Sequence, residues 1–259
     1  MTQVITEGFL ETIFDIGMFD GADTAYYLES GYRVLSVEAN PGLHDRAIKK
    51  FAAQVKSGQL TCVHAAIAAT CEPVSLTLGG AELGSSSISS SWVTNMPIGS
   101  ITVPGITMQQ VLEEHGVPYY IKVDIESADR LAVLALTPET RPRYLSFEIS
   151  GDVEELVKHS QSIGFTRFKI INQTSFREIA NQYSIVDRAR LRLVRYLGYD
   201  EPRLVRRHGR FFVSGHSSGP VPWRSDGRWH SANATLDRWQ EARARNAVHG
   251  WYDVHAAAD

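Results

Sequence analysis

The feature that most constrains this chain is an alternation in its first half, where short β-branched apolar runs are separated by amphipathic stretches. That is the pattern of βα units laid into a mostly parallel sheet. Thr12–Ile16 reads as a buried first strand, followed by a helix over Ala22–Ser30. Arg33–Val37 is a second strand, and Leu43, Ala47, Phe51 and Val55 then recur every four residues on one helical face that Gly58 ends. Leu60–Val63 reads as the third strand. Val74–Leu78 and Ile101–Val103 suggest β-structure around a polar loop, Gly79–Ser91. Tyr119–Ile125, Tyr144–Ile149 and Phe165–Ile171 continue the sheet, with helices beginning near Ala128 and Val153 between them. A seventh strand is expected at Arg210–Val213.

With 259 residues, 43% of them hydrophobic and 21% charged, the chain can bury one large core. The expected organisation is a domain over residues 1–215, interrupted by an insertion at 172–209, with an appendage over 216–259 packed on it. A formal net charge of −3 argues against a surface wholly committed to nucleic acid or anionic lipid. Locally the balance reverses, because eight arginines lie between Val186 and Arg210, half of them on an expected helix over Ile185–Tyr196. Ser214–Asp226, rich in Gly, Ser and Pro, reads as a surface loop. Trp223, Trp229, Trp239 and Trp251 crowd the tail, which points to packing and not to disorder. Cys62 and Cys71 have no zinc or redox spacing. Neither a signal-like N-terminus nor an apolar run of spanning length is present, so the expected address is the cytoplasm, away from membranes.

The segment Asp15-Ile-Gly17-Met18-Phe-Asp20-Gly21-Ala-Asp23-Thr24 follows a strand and opens a helix, where a glycine turn lets backbone approach a ligand at the helix N-terminus. The next strand ends Val37-Glu38-Ala39-Asn40-Pro41. A carboxylate there can accept both ribose hydroxyls of an adenosine. Turn and carboxylate occupy the expected places of one βαβ unit, and together they predict an adenosine-bearing cofactor.

These segments and Lys122-Val-Asp124-Ile-Glu126 resemble, in order, the glycine motif, acidic–Asn–Pro strand end and fourth strand of the FkbM-type methyltransferases. The likeness runs from about Phe14 to Glu148 and extends weakly to the closing Gly250–His255. Asp20 stands where the family more often has Asn, and Ser127 and Asp129 replace its usual Gly and Glu. The resemblance implies a class I methyltransferase fold: a Rossmann-like, seven-stranded, mostly parallel sheet with an antiparallel last strand. It implies S-adenosylmethionine as cofactor, contacted by Asp15, Gly17, Met18, Asp20, Gly21, Thr24, Glu38, Ala39, Asn40, Ala66 and Asp124. It also implies O-methylation of a hydroxyl on a sugar, glycan precursor or other polar natural product.

Ligands of open α/β sheets bind beyond the carboxyl ends of the strands, so Asp124, Glu126 and Glu148 should converge near the transferred methyl. Asp124 is the first candidate base, Glu148 the second, and Glu126 a candidate for acceptor hydroxyls, a metal ion or neither. Two neighbouring carboxylates without a third ligand make no case for a metal. The Ser-rich loop Gly84–Trp92 and the tail tryptophans are candidate acceptor contacts, and the arginine-rich insertion a candidate phosphate grip. A small-molecule or saccharide acceptor is therefore expected and nucleic acid is not; a homo-oligomer is compatible with the sequence. A nicotinamide-dependent oxidoreductase would use the same adenosine geometry, but GxxxG spacing and the lack of a Tyr-xxx-Lys pair disfavour it. A nucleotide- or RNA-binding protein would draw on the basic island, yet RNP-type aromatic signatures are missing.

Overall fold

The computed structural model describes residues 9–78, 99–125, 128–179, 204–215, 217, 219–245, 248 and 250–259. The chain opens with β1 (Leu10–Ile16), α1 (Ala22–Glu29), β2 (Tyr32–Glu38), α2 (Pro41–Lys50), α3 (Ala52–Lys56) and β3 (Leu60–His64). Short strands β4 (Ala66–Ile67), β5 (Val74–Leu78), β6 (Gly99–Val103) and β7 (Gly105–Ile106) lead to α4 (Met108–His115). Then follow β8 (Tyr120–Val123), α5 (Asp129–Leu134), β9 (Tyr144–Glu148), α6 (Val153–Ser162) and β10 (Phe165–Asn172). The last described elements are β11 (Leu204–Arg207), β12 (Arg210–Val213), α7 (Ala232–Ala244) and β13 (Tyr252–Ala258).

Seven strands form one sheet in the order β10-β13-β9-β8-β1-β2-β3. The pairs from β9 to β3 are parallel, while β13 is antiparallel to both β9 and β10. This is the mostly parallel sheet with one reversed strand that the family resemblance implies. The reversed strand is not Arg210–Val213, however. That segment pairs with β11 in a separate hairpin, and Phe212 from it packs on Tyr26 of α1 with ring centroids 5.0 Å apart. Tyr252–Ala258 takes the place in the sheet, so a division at residue 215 separates a central strand from its neighbours.

Register explains the two faces. Val63, Val37, Ile16, Val123, Phe147, Val254 and Ile170 align across all seven strands in an apolar row. The core on that face draws on α4, α5, α6 and α7, including the buried Trp239. One residue earlier in the parallel strands, side chains point to the other face. There Cys62, Ser36, Asp15, Lys122, Ser146, His255 and Lys169 form an equally continuous polar row.

The covering layer supplies its partners. Thr24 Oγ1 donates to Asp15 at 2.6 Å and lies 3.0 Å from Ser36 Oγ, Tyr120 Oη meets Ser146 at 2.6 Å, and Lys169 Nζ donates to the Ser225 carbonyl at 2.9 Å. Ser214–Asp226 therefore does not run over the surface. Ser217 donates to Asp23, Val221 is buried, and Trp223 packs among Tyr32, Tyr119, Tyr120 and Tyr144.

Local chemistry sets the helix ends. Asn40 caps α2 through Gly42 and Leu43 N–H groups with Pro41 just inside, and Thr107 caps α4 through Gln110 N–H. The helix expected over Leu43–Val55 breaks at Phe51 (φ −109°, ψ 27°). Its ring turns into the core below Gly21, where a Cβ on that glycine would come within 2.7 Å of it. The insertion helix expected at Ile185–Tyr196 and the Ser-rich loop lie outside the described residues.

Removing Tyr252–Asp259 takes out a strand paired on both sides, and the truncated chain should lose its cooperative thermal transition by circular dichroism. A melt like the parent's would show that the sheet closes without it.

Candidate active site

The C-terminal edge of β1 is organised around one lysine. Lys122 Nζ lies 3.6 Å from Asp15, 3.2 Å from Asp23 and 3.2 Å from Asp124, joining β1, α1 and the residue that follows β8. Burial alone would drive this amine towards neutrality, but Asp124, Asp15 and Asp23 outweigh it and hold the ammonium well above its ordinary range. Asp15 is wholly buried, which pushes its carboxyl up to about 6 against the pull of Lys122. Asp23 in turn accepts the Ser217 hydroxyl, which ties the cluster to the covering segment. Asp124 is the member nearest solvent, with 29% of its side chain exposed.

The turn from β1 into α1 is tight for backbone reasons. Gly17, Phe19 and Gly21 all have positive φ, at 90°, 52° and 73°. A Cβ at Gly17 would lie 1.8 Å from the Asp124 carbonyl oxygen, so this glycine lets β1 and β8 leave the sheet side by side. A side chain at Gly17 would therefore collide with the neighbouring strand end whether or not a ligand is bound. Met18 is buried in the second core. Asp20 Oδ1 accepts Ala22 N–H at 2.9 Å at the start of α1.

Glu38 closes the other side of the turn. Its two oxygens accept Phe19 N–H at 2.9 Å and Asn40 N–H at 2.8 Å, which aims the carboxylate along the edge of the sheet. Burial raises its carboxyl to about 7, against the lowering effect of those two backbone bonds. Each carboxylate oxygen can accept a second hydrogen bond, so the group can still receive a ribose diol. The chemistry of this carboxylate therefore fits an adenosine cofactor. Ala39 and Ala66 flank the same edge; Ala66 is buried, and the Ala39 carbonyl lies 3.2 Å from His64 Nε2.

The structure brings Asp15, Thr24, Lys122 and Asp124 into one cluster, while Thr24 serves to hold Asp15. Glu148 ends β9 one strand beyond Asp124 and lies opposite Asp253 of β13. Glu126 lies outside the described residues. Sequence reading missed Asp23, Ser217, Asp253 and Gln173. Gln173 Nε2 donates to Asp253 at 2.8 Å. The closing Gly250–His255 motif was the available signal for Asp253. Among the described residues, no group of three or more His, Cys, Asp or Glu side chains is arranged to hold a metal ion. Nor is any described helix long and apolar enough to cross a membrane.

Lys122→Met should destabilise the fold by about 3–5 kcal/mol in urea denaturation, because it leaves buried carboxylates without their cation; a change below about 1 kcal/mol would contradict the cluster's role. A second expectation concerns pH. Hydroxyl donors favour ionised Glu38, so ligand binding releases a proton wherever Glu38 is protonated beforehand. Affinity for S-adenosylhomocysteine should rise with pH up to about 7, at most about tenfold per unit, and level off above it. Calorimetry should show that slope lost in Glu38→Gln; an equal slope in both would assign it elsewhere.

Comparison with known proteins places these observations. The Methyltransferase FkbM domain matches residues 15–184. No curated protein matches the chain. Among solved structures, an FkbM methyltransferase from Methylobacillus flagellatus aligns at 14% identity and TM-score 0.41, over 59% of this chain and 37% of its own. This chain thus spans little more than a third of that relative. A precorrin-6y C5,15-methyltransferase from Geobacter metallireducens aligns at 8% identity and TM-score 0.41, over 96% of this chain and 80% of its own. A TehB-like methyltransferase from Corynebacterium glutamicum aligns at 14% identity and TM-score 0.34, over 65% and 71%. The chain belongs to the FkbM methyltransferase family.

Proposed function

We propose that the protein methylates a hydroxyl group on a sugar, glycan precursor or other polar natural product, with Asp124 as the base. One observation carries the reading. A partly exposed carboxylate stands at the end of β8, beside the glycine turn, and is fixed by a lysine ammonium 3.2 Å away. S-adenosylmethionine supplies an electrophilic methyl on a sulfonium. An alcohol is a poor nucleophile until its proton leaves, and a carboxylate within hydrogen-bond reach provides for that. Asp124 would accept the hydroxyl proton while the acceptor oxygen bonds to the methyl carbon and that carbon's bond to sulfur breaks, the sulfonium leaving as a neutral thioether.

The other residues position this base. Lys122 holds Asp124, Asp23 and Asp15 hold Lys122, and Ser217 holds Asp23 from the covering segment. Orientation of this kind brings a nucleophile into line. Glu148, buried at the end of β9, is the second candidate base of this reading. A saccharide or small molecule is the partner that this reading calls for.

Asp124→Asn preserves shape and removes the basicity. Turnover should fall by about 10²–10⁴-fold while affinity for S-adenosylhomocysteine stays near the parent's. Methyl transfer to oxygen, read by mass spectrometry and NMR of the product, checks the reaction class. A product methylated on nitrogen or carbon would overturn it, and an affinity loss matching the turnover loss would make Asp124 a cofactor ligand.

A further inference from the structure

We infer that His64 makes this site selective for adenine among purines, by accepting a hydrogen bond from the 6-amino group of the base. This rests on the proposed reading that sets the transferred methyl beside Asp124, with the ribose on Glu38. Four neighbouring strands set the line of the site. Asp124 follows β8, Gly17 follows β1, Glu38 ends β2 and His64 ends β3, and the strands adjoin in that order. Glu38 and His64 are partners in the register of β2 and β3. Their side chains therefore leave the same face of the sheet, one strand spacing of about 4.8 Å apart.

The covalent structure of an adenosyl group gives the direction. Its ribose carries the sulfur on one side of the ring oxygen and the base on the other. With the diol on Glu38 and the sulfonium towards Asp124, the base extends away from β1, towards the end of β3. His64 is the side chain that ends that strand.

The imidazole is held in one tautomer. Its Nε2 lies 3.2 Å from the Ala39 carbonyl oxygen, and the half-buried His44 ring of α2 stands beside it, with centroids 5.2 Å apart and planes tilted by 31°. A carbonyl oxygen only accepts, so Nε2 carries the proton and the neutral ring keeps a lone pair on Nδ1. That carbonyl is itself fixed. It belongs to the same peptide group as the Asn40 N–H, which donates to Glu38 Oε1 at 2.8 Å. The group is planar and trans, so its two ends point in opposite directions, the N–H to Glu38 and the carbonyl to His64.

The lone pair selects the base. Adenine presents an amino donor at C6, whereas hypoxanthine presents a carbonyl oxygen there, and two acceptors facing each other repel. His64 could meet that oxygen only by moving its proton to Nδ1, which would set a bare Nε2 against the Ala39 carbonyl and leave both acceptors unpaired. One peptide group thus aims the carboxylate at the ribose and the imidazole at the base. A histidine that merely braced Ala39 would support every purine ligand alike.

Calorimetry on the full chain can separate the two roles by comparing S-adenosylhomocysteine with S-inosylhomocysteine, its analogue deaminated at C6. The parent should bind the adenine ligand more tightly by roughly tenfold or more. His64→Phe keeps a flat ring beside His44 and removes the lone pair. It should weaken the adenine ligand alone and bring the two affinities to within about threefold of each other. A parent without preference, a preference kept in His64→Phe, or equal losses for both ligands would overturn the inference and leave the cofactor placement standing. Histidine ¹⁵N NMR of the parent needs no variant: His64 should be in its Nε2–H form, and an Nδ1–H form would overturn the inference. Failure of the parent to bind S-adenosylhomocysteine, or parental affinity in Glu38→Ala, would overturn the cofactor placement itself.

Discussion

The ammonium of Lys122 lies between carboxylates from β1, from α1 and from the turn after β8, and the geometry of this edge of the sheet follows from that contact. Removing a lysine and two aspartates from water costs several kcal/mol per ion, and only close charge pairing returns it. The arrangement is therefore cooperative: each carboxylate justifies the burial of the lysine, and the lysine justifies the burial of each carboxylate. Asp124, the one member that reaches solvent, is fixed because its partners are.

Seen across the sheet, the lysine is the midpoint of a polar row that spans every strand. A doubly covered sheet ordinarily reads as apolar on both faces. Here one face carries serines, a buried neutral histidine and two lysines, and α1 and the segment from 214 to 230 bring hydroxyls and carbonyls to meet them. His255 is held well below its usual range by burial and by Lys169, which burial itself lowers to about 8. The same segment reaches Asp23 through Ser217, so the tail is a structural wall of the site.

Much of the cofactor half was legible because its determinants are local. Asp15 to Thr24 spans one turn, and Glu38, Asn40 and Pro41 set both a strand end and a helix cap within four residues. The helix α4 was overlooked between a β-rich stretch and the fourth large strand, although Thr107 and Gly116 bound it as ordinary start and stop signals. The tail was misread for a different reason. Arg210–Val213 has aromatic and β-branched residues and looks like a strand, whereas β13 ends in three alanines that carry weak β-propensity. Pairing on both sides overrides that propensity, and pairing partners are not visible in a local window. The bond from Ser217 to Asp23 bridges 194 positions, which puts it beyond any motif.

The account stands on Lys122 remaining a cation inside the fold. Selective ¹⁵N labelling of lysine and NMR detection of the Nζ resonances over a pH titration observes that directly, with assignment from a Lys122→Arg variant. The Lys122 signal should stay in its ammonium form beyond the pH at which exposed lysines lose their protons, about 10.4. Titration at or below that value would mean that the carboxylates do not outweigh burial, and the organising role given to this lysine would be wrong.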